Sequence, residues 1–401
     1  AISATGGGEG IGTPVVFEAA SVSYTKSAYD SANQKVVVAY RDGGNSNYGT
    51  AVVGTVSGTS ISFGTPVVFQ TNEIQWPNVV FDSTNNKMVI AYYYYNGSVN
   101  QGTAIVGTVS GTSISFGSPT SIANSSPTYL SLAYDSNEQR VVASYRDSRN
   151  SDYGTAIVGT VSGTSISFGS AIVFQSGNSE WIGSTFDSNA NKIVIAYSNI
   201  NSSNYGTAIV GTVSGTSISF GSAAVFESAT SIYITATFDS NANKVVIVYR
   251  DSGNADSGTA VVGTVSGTSI SFGTPVVFSG DSYYYAPVYN STTNKINIAY
   301  RDDGNSSYGT LITGTVSGTS ISFGSKFVFA ATSTQQLSAV FDPNSNNVAL
   351  AYADNGNSSY GTGVVYTTAS TNSADFIGIA AEDISNGATG SVNLLGGINE
   401  A

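Results

Sequence analysis

Apolar and polar residues alternate along the chain in runs of strand length. Runs rich in Val, Ile, Tyr, Phe and Thr are separated by breaks rich in Asn, Ser, Gly and Asp, a pattern typical of strands and turns. Some runs, such as residues 36–40 and 245–249, are apolar at every position, which indicates strands buried on both faces. No stretch shows the 3.6-residue period of an amphipathic helix, so the chain is predicted to be all-β.

The strand-like runs recur with a fixed period. The string GTVSGTSISFG occurs six times, with 51 to 53 residues between successive copies, and a period of this length is typical of a repeat architecture. Each unit contains four strand-like runs, and the first run ends in an aromatic residue followed by Asp or Asn. This pair occurs seven times and therefore indicates seven units. The strings begin at Gly54, Gly107, Gly159, Gly211, Gly263 and Gly314.

Seven units of four strands, with sheets buried on both faces, predict a seven-bladed β-propeller over residues 12–368. Residues 12–17 match residues 64–69, the fourth strand of a unit, whereas the last unit stops after its third strand. We therefore expect the N-terminal strand to complete the last blade and lock the ring. The rival fold is an open stack of sheets. Residues 1–11 are predicted to be a lead-in, and residues 369–401 the start of an incomplete C-terminal β-module.

Differences among the copies concentrate in two of the four connections. The one-two and three-four loops are nearly identical from copy to copy, whereas the two-three loop and the connection to the next unit differ. In a propeller these two pairs lie on opposite faces, so the variable residues are predicted on one face. Loops on a rigid framework are the usual place for binding. Neutral drift in tolerant loops is the alternative explanation.

The varied connections keep one aromatic position, five residues before each aromatic–Asp pair. Both tryptophans of the chain occupy it, and the seventh unit has Gln336 instead. An aromatic ring near the mouth of a propeller suits stacking on sugars, so these residues are the predicted ligand-binding set. The alternative is that they wedge between neighbouring blades. The set is Tyr24, Trp76, Tyr129, Trp181, Tyr233 and Tyr284.

A second candidate set consists of arginines that start the two-three loops. Each is followed by Asp, and a guanidinium binds carboxylates in a bidentate manner, so acidic sugars are expected ligands of this set. The alternative is a local Arg–Asp pair that stiffens the turn. These predicted polar contacts are Arg41, Arg146, Arg250 and Arg301.

The amino-acid composition limits the kinds of functional site and partner that the chain can have. The chain has no Cys and no His, which excludes disulfides, a cysteine nucleophile, a Ser-His-Asp triad and the usual zinc sites. The net charge of −12 argues against a nucleic-acid partner. No apolar run approaches membrane-spanning length, so membrane insertion is not expected. Residues 187–191, Asp-Ser-Asn-Ala-Asn, place oxygens at alternate positions as calcium loops do, but they lack the glycine and distal glutamate. An Asx turn is therefore predicted, with no metal and no cofactor.

Two stretches resemble proteins of tailed phages. The units, for example NKVVIVYRDSGNADSGTAVVGTVSGTSISFGTPVVF, resemble repeats in predicted structural proteins of marine phages. The end of the chain, FIGIAAEDISNGATGSVNLLGGINEA, looks like the start of a small β-module of tail-fibre and other virion proteins. The resemblance implies a virion or extracellular surface location and a role in host contact. It supplies no catalytic motif.

Three functions follow from these observations. The first is a non-catalytic module that binds surface glycans or a virion or surface protein through its variable face. The second is a purely structural spacer or decoration of a fibre or capsid. The third is a sialidase-type glycosidase, which is disfavoured because the S-x-D-x-G-x-T-W box is absent and the loop glutamates have no repeated partner; the expectation is therefore no enzyme. Self-association would involve regions beyond the propeller. The glutamates are Glu18, Glu73, Glu180 and Glu227.

Overall fold

The computed structural model describes residues 9–95, 97, 100–122 and 127–368, and the backbone of two short strands near the C-terminus. This part of the chain is all-β, and its strands pair antiparallel. Its helical residues form single 3-10 turns in three of the two-three loops. These turns are η1 (Ile200–Ser202), η2 (Asp303–Asn305) and η3 (Asn355–Asn357).

Each sequence unit contributes equivalent strands. The long strands that join one unit to the next are β2 (Val15–Asp30), β6 (Val67–Asp82), β15 (Ile172–Asp187), β19 (Ala224–Asp239), β23 (Val276–Asn290) and β27 (Phe327–Asp342), with β10 (Thr120–Ser121) and β11 (Pro127–Asp135) at the same place in the third unit. The second strands are β3 (Lys35–Asp42), β7 (Lys87–Tyr95), β12 (Arg140–Asp147), β16 (Lys192–Asn199), β20 (Lys244–Asp251), β24 (Lys295–Asp302) and β28 (Asn347–Asp354).

The remaining strands follow in the same order. The third strands are β4 (Tyr48–Ser57), β8 (Asn100–Ser110), β13 (Tyr153–Ser162), β17 (Tyr205–Ser214), β21 (Ser257–Ser266), β25 (Tyr308–Ser317) and β29 (Tyr360–Thr367). The short outer strands are β5 (Ser60–Phe63), β9 (Ser113–Phe116), β14 (Ser165–Phe168), β18 (Ser217–Phe220), β22 (Ser269–Phe272) and β26 (Ser320–Phe323). The others are β1 (Gly10–Ile11), β30 (Ile379–Ala380) and β31 (Val392–Asn393).

The connection between units, predicted to be a loop, is in fact part of a continuous strand. The first half of β6 pairs with β4 of its own unit, and its second half pairs with β7 of the next unit. One strand can serve two sheets because a bulge near its middle redirects it from one to the other. The same arrangement recurs in β2, β15, β19, β23 and β27.

The two ends of the repeat region are hydrogen-bonded to each other. Both β1 and the first half of β2 pair with β29, the third strand of the last unit, as the sequence predicted for the N-terminal strand. Within the predicted lead-in, residues 1–8 lie outside the described residues. In the predicted C-terminal module, β30 pairs with β31, and the rest of residues 369–401 lies outside the described part.

The core consists of apolar clusters between successive sheets. The second strand is buried on both faces, and Val37 and Tyr40 of β3 have no exposed surface. Val37 packs in the apolar cluster shared with the second unit. Tyr40 packs in the cluster shared with the last unit, which includes Ala349 and Ala351. This arrangement confirms that the continuous apolar runs are strands covered on both sides.

The string GTVSGTSISFG forms the hairpin between the third and outer strands. In the first copy, Ser57 pairs with Ser60 across a two-residue turn, and Gly58 has a φ of +58°, a backbone conformation that glycine adopts at little cost. The final glycine meets the next copy: a Cβ on Gly64 would lie 1.8 Å from the carbonyl oxygen of Thr112. The copies are alike because each must fit closely against the next.

The acidic residue at the end of the first strand caps the one-two turn. The Asp30 carboxylate accepts hydrogen bonds from the backbone amides of Ala32 and Asn33, both at 3.0 Å. The equivalent Asp187 accepts from the amides of Asn189 and Ala190. These contacts confirm the Asx turn that the sequence predicted at this loop.

Candidate functional site

The candidate site is built on the bulge that redirects each long strand. In β2, Ser23 pairs with Arg41 and Lys26 with Ala39, so Tyr24 and Thr25 together face the single residue Tyr40. Thr25 is buried, whereas Tyr24 on one side of it and Lys26 on the other turn toward the centre of the repeat array. The bulge therefore presents two side chains to the same central space.

The predicted aromatic position is the left-handed residue of this bulge. Tyr24 has a φ of +54° and Trp181 a φ of +52°, and the other five positions, including Gln336, have similar values. A left-handed backbone costs a residue with a side chain about 1–2 kcal/mol, and glycine is the usual occupant of such a bulge. None of the seven units has glycine here. Strain of this kind tends to be retained where the side chain has a role.

The aromatic side chains form a continuous series around a central cavity. Neighbouring ring centroids lie 4.2 to 5.5 Å apart in the order Tyr24, Trp76, Tyr129, Trp181, Tyr233 and Tyr284. Gln336 occupies the seventh position, between Tyr284 and Tyr24, where the other units have an aromatic residue. It contacts Tyr24 through a hydrogen bond of 3.1 Å from the Tyr24 amide to Gln336 Oε1. The structure thus brings all six predicted aromatics together.

These aromatics are half-buried rather than enclosed. Trp76 and Trp181 each touch the apolar cluster between two sheets and also line the cavity, so both the packing and the binding interpretations have a structural basis. The cavity has a volume of about 290 Å³, near the lower limit of about 300 Å³ for small-molecule pockets. The cavity has room for one ring of a ligand, and the remainder of a larger ligand would extend into solvent.

A second layer of side chains lies two residues beyond each aromatic, deeper in the central space. Most of its members are small or polar, and all except Gly183 also line a second cavity of about 190 Å³ below the first. The close approach of the inner strands requires glycine at position 183, where a Cβ would lie 2.7 Å from Cα of Thr235. The layer consists of Lys26, Asn78, Ser131, Gly183, Thr235, Ala286 and Ser338.

Lys26 in this layer is the functional candidate that sequence reasoning missed. It is the one charged side chain among the described residues lining either cavity. It lies beside the unit that carries Gln336, because Ser27 of β2 hydrogen-bonds Ser338 of β27 at 2.7 Å. The lone lysine at a position where the other copies are uncharged was visible in the sequence and could have indicated it.

Lys26 has many protein atoms around it but remains exposed toward the cavity. Although its side chain keeps accessible surface toward the cavity, loss of hydration lowers the pKa of the ammonium group below its ordinary value. The tyrosines nearby remain neutral phenols, because burial raises the pKa of Tyr129 to about 12 and also raises those of Tyr233 and Tyr284.

The predicted arginines lie next to the aromatics, so the two predicted sets form one site. The Arg41 guanidinium carbon is 5.1 Å from the centroid of Tyr24, and that of Arg146 is 5.2 Å from Tyr129. Arg301 lies 5.4 Å from Tyr284, while Arg250 lies over Tyr283 instead, at 4.2 Å. Cation–π contacts of this kind are worth about 0.5–1 kcal/mol at exposed sites.

Each of these arginines is already paired with a carboxylate. Arg41 contacts Glu73 at 3.2 Å and Arg146 contacts Glu180 at 2.6 Å, both across to the next connection. Arg250 pairs with Asp256 and Asp281, and Arg301 pairs with Asp303.

The predicted alternative, a local Arg–Asp pair in the two-three loop, is confirmed for three arginines, which contact Asp152, Asp256 and Asp303. It is wrong for Arg41. Its neighbour Asp42 accepts from the amide of Gly44 instead. Adjacent residues of a strand point to opposite faces, so the two side chains separate.

The loop glutamates do have repeated partners, contrary to the sequence interpretation. Glu73 and Glu180 pair with equivalent arginines, and the other two pair with equivalent tyrosines. The buried hydroxyl of Tyr40 donates to Glu18 at 3.0 Å, and that of Tyr249 donates to Glu227 at 3.1 Å. Burial and the neighbouring carboxylate strongly raise the pKa of both tyrosines, so neither forms a phenolate nucleophile at neutral pH. These pairs link the second strand to the long strand and do not reach the cavity lining.

The described ranges contain no cluster of three or more His, Cys, Asp or Glu side chains placed to hold a metal ion. Within the same residues, no helix has the length and apolar character needed to cross a bilayer.

Comparison with known proteins identifies the fold. No family model and no curated protein matches the chain. Among solved structures, a lectin from Burkholderia pseudomallei matches with a TM-score of 0.61 at 10% identity, over 89% of this chain and 98% of the lectin. The fucose-specific lectin from Aleuria aurantia matches with a TM-score of 0.46 at 13% identity, over 77% and 96%.

A sialidase from Trypanosoma rangeli matches with a TM-score of 0.46 at 10% identity, over 76% of this chain and 56% of the sialidase. Of these three structures, the Burkholderia lectin is the one similar enough to support an inference. At 10% identity, that inference is limited to the fold. The described chain is an antiparallel β-propeller repeat protein.

Proposed function

We propose that the seven units form a closed seven-bladed propeller and that the protein is a non-catalytic glycan-binding protein of a virion or cell surface. The aromatic-lined axial cavity is the binding site. The observation that carries this proposal is the repeated left-handed aromatic. Six units place Tyr or Trp at a position where glycine would be less strained, and all six side chains line one cavity.

The shape and chemistry of the cavity support a sugar as ligand. Aromatic faces stack on the apolar faces of sugar rings, and hydroxyl and amide groups bond sugar hydroxyls. Trp76 and Trp181 supply the largest surfaces, and Asn78 and Ser131 lie just below them. The volume accommodates one terminal sugar residue.

Binding rather than hydrolysis is favoured by the groups at hand. Glycoside hydrolysis needs a placed acid and a nucleophile or base, normally two carboxylates. Among the described residues that line the cavity there is no carboxylate. The carboxylates at its mouth are engaged by arginines, as Glu180 is by Arg146.

A structural spacer or decoration protein is the second candidate. It is favoured by the close fit of successive GTVSGTSISFG copies and by the contact of Trp76 and Trp181 with the apolar clusters. In that case the aromatics would serve packing alone.

A glycan array separates the two candidates. The wild-type protein is expected to bind a subset of glycans, and Trp181→Ala is expected to abolish that binding while the protein stays folded by circular dichroism. Val225→Ala is the matched control, because Val225 is exposed on the outer half of the same strand as Tyr233, away from the cavity lining. Absence of any bound glycan, or binding that Trp181→Ala leaves intact, would refute the proposal.

A further inference from the structure

The axial cavity contains one cation with no counter-ion. Lys26 lines both the upper and the lower cavity, and no other charged side chain of the described residues lines either. Within the described part of the chain its ammonium has no ion-pair or hydrogen-bond partner. The ammonium is exposed to the cavity and unpaired, so an anion that enters the cavity can form a charge-assisted hydrogen bond with it.

The arginines at the mouth differ from Lys26 in this respect. Arg41, Arg146, Arg250 and Arg301 already contact acidic side chains at 2.5 to 3.2 Å. An anionic ligand at an arginine would have to displace a carboxylate of the protein, whereas an anion at Lys26 displaces no protein group. The sequence assigned acidic-sugar recognition to the arginines, and the structure points to a different residue.

The cavity has a polar sector and an aromatic sector. Lys26, Gln336 and Ser338 lie on the two neighbouring long strands β2 and β27, joined by the hydrogen bonds of Tyr24 with Gln336 and of Ser27 with Ser338. The aromatic series runs around the rest of the mouth, with Trp181 and Tyr233 in its closest contact at 4.2 Å. A ligand with one charged end and one ring face matches this asymmetry.

We infer that the axial cavity binds a sugar residue carrying a single negative charge, a carboxylate or a sulfate ester, with the charged group against Lys26 and the ring against the aromatic side chains. This inference rests on the proposed glycan-binding function and specifies its ligand. One cation balances one negative charge, whereas a phosphate monoester carries nearly two at neutral pH and would be only partly balanced.

Tryptophan fluorescence provides a direct test, because both tryptophans of the chain lie in the aromatic series. The probes are methyl β-glucuronide, methyl β-glucoside and glucose 6-sulfate, titrated at millimolar concentrations into the wild type, Lys26→Met, Lys26→Gln and Lys35→Met. Lys35 is the matched control because it lies at the opposite end of the paired strand, away from the cavity lining. Circular dichroism establishes that each variant is folded.

The expected result is a saturable change in emission with the glucuronide or the sulfate, weaker by about ten- to a hundredfold with the glucoside. Lys26→Met and Lys26→Gln should lose this preference, and Lys35→Met should keep it. Whichever of the glucuronide and the sulfate binds more tightly identifies the charged group. Equal binding of glucoside and acidic sugars, unchanged in both Lys26 variants, would overturn the inference and leave the glycan-binding function standing. No response to any of the three sugars, together with an empty glycan array, would overturn both.

Discussion

The outer hairpins and the axial mouth both repeat along the chain, six and seven times respectively, but they repeat in different ways. At the outer hairpins the same eleven residues recur, because the last glycine of one copy touches the carbonyl oxygen of Thr in the next copy. At the axial mouth the backbone recurs, with φ near +55° in every unit, while the residue varies among Tyr, Trp and Gln. Residue identity is conserved within the chain where copies interlock, and it varies where the side chains face the open cavity.

This difference indicates which region carries specificity. A hairpin that must fit its neighbour cannot change in one copy alone without steric conflict. A side chain that faces the cavity can change in one copy alone where the bulge is kept and no neighbouring strand approaches as closely as at Gly183. These changes give the mouth its asymmetry. Lys26 and Gln336 are two such individual residues, and they lie in neighbouring units.

The largest effect is expected from a glycine of the interlocked hairpins. Gly117→Ala places a Cβ 1.9 Å from the carbonyl oxygen of Thr164, so it should lower the free energy of unfolding by about 3 kcal/mol. Gly324→Ala is the matched control, since its nearest neighbour would lie 3.7 Å away, and should change stability by less than about 0.5 kcal/mol. Urea denaturation measures both. Equal effects of the two substitutions would refute the interlocking explanation.

The aromatic mouth should show the opposite behaviour, with a large effect on binding and a small one on stability. Trp181→Gly loses contacts with Tyr129 and Tyr233, worth about 0.5–1.5 kcal/mol each, but relieves about 1–2 kcal/mol of left-handed strain. The net change in unfolding free energy should stay within about 1 kcal/mol, while glycan binding is lost. Trp181→Phe, which keeps a ring, should retain part of the binding.

The packing alternative makes a different prediction for the same residue. If Trp181 only fills space between sheets, its truncation should destabilise the protein by about 3–5 kcal/mol and leave every interaction unchanged. Thermal melts and glycan binding of Trp181→Gly therefore distinguish the two roles.

The buried tyrosines of the second strands offer a smaller contrast. Tyr249→Phe removes the hydrogen bond to Glu227 and should cost about 1 kcal/mol. The hydroxyl of the equivalent Tyr197 has no hydrogen-bond partner among the described residues, so Tyr197→Phe should be neutral or stabilising. Denaturant titrations of the two variants measure this difference. A loss of glycan binding in Tyr249→Phe would contradict the separation between these pairs and the cavity.

The smallest effect expected is a dependence of acidic-sugar binding on alkaline pH. Because the pKa of Lys26 is lowered from the ordinary value near 10.5, its charge and the binding that depends on it should be lost at a lower pH than for an exposed lysine. The other titratable groups that line the cavity are phenols. Burial raises the pKa values of Tyr129, Tyr233, Tyr284 and Tyr285, so these four stay neutral in this window. Binding of the neutral glucoside should not change. Acidic-sugar binding that stays constant up to pH 10.5 would contradict this assignment. The fifth phenol in the cavity lining belongs to Tyr24.

Much of the fold was predictable because repetition and strand periodicity are properties of local sequence. The repeated apolar runs indicate buried strands, and the offset between residues 12–17 and the truncated last unit predicts the pairing of β2 with β29. The continuous strand through Tyr24 was not predictable, because a bulky residue with positive φ contradicts ordinary backbone preferences.

The aromatic set was predictable from its fixed spacing, but its polar surroundings were not. The partners of the arginines come from other connections, as in the contact between Arg41 and Glu73, and such pairs leave no local pattern. Lys26 is the one charged residue at its position among the copies, and this difference is visible in the sequence, but the sequence does not show where the side chain lies. Lys26 becomes a functional candidate because it lies two residues after the aromatic, in a layer of side chains that faces the central space. Only the structure shows that this layer faces the cavity.

The ligand is proposed to occupy the axial cavity, and a crystal structure with a bound sugar shows its position directly. Crystals grown with the best-binding acidic methyl glycoside should show one sugar residue between Lys26 and the ring of Trp181. Density for the sugar at the outer hairpins, or in grooves between neighbouring sheets, with an empty axial cavity would contradict the claim.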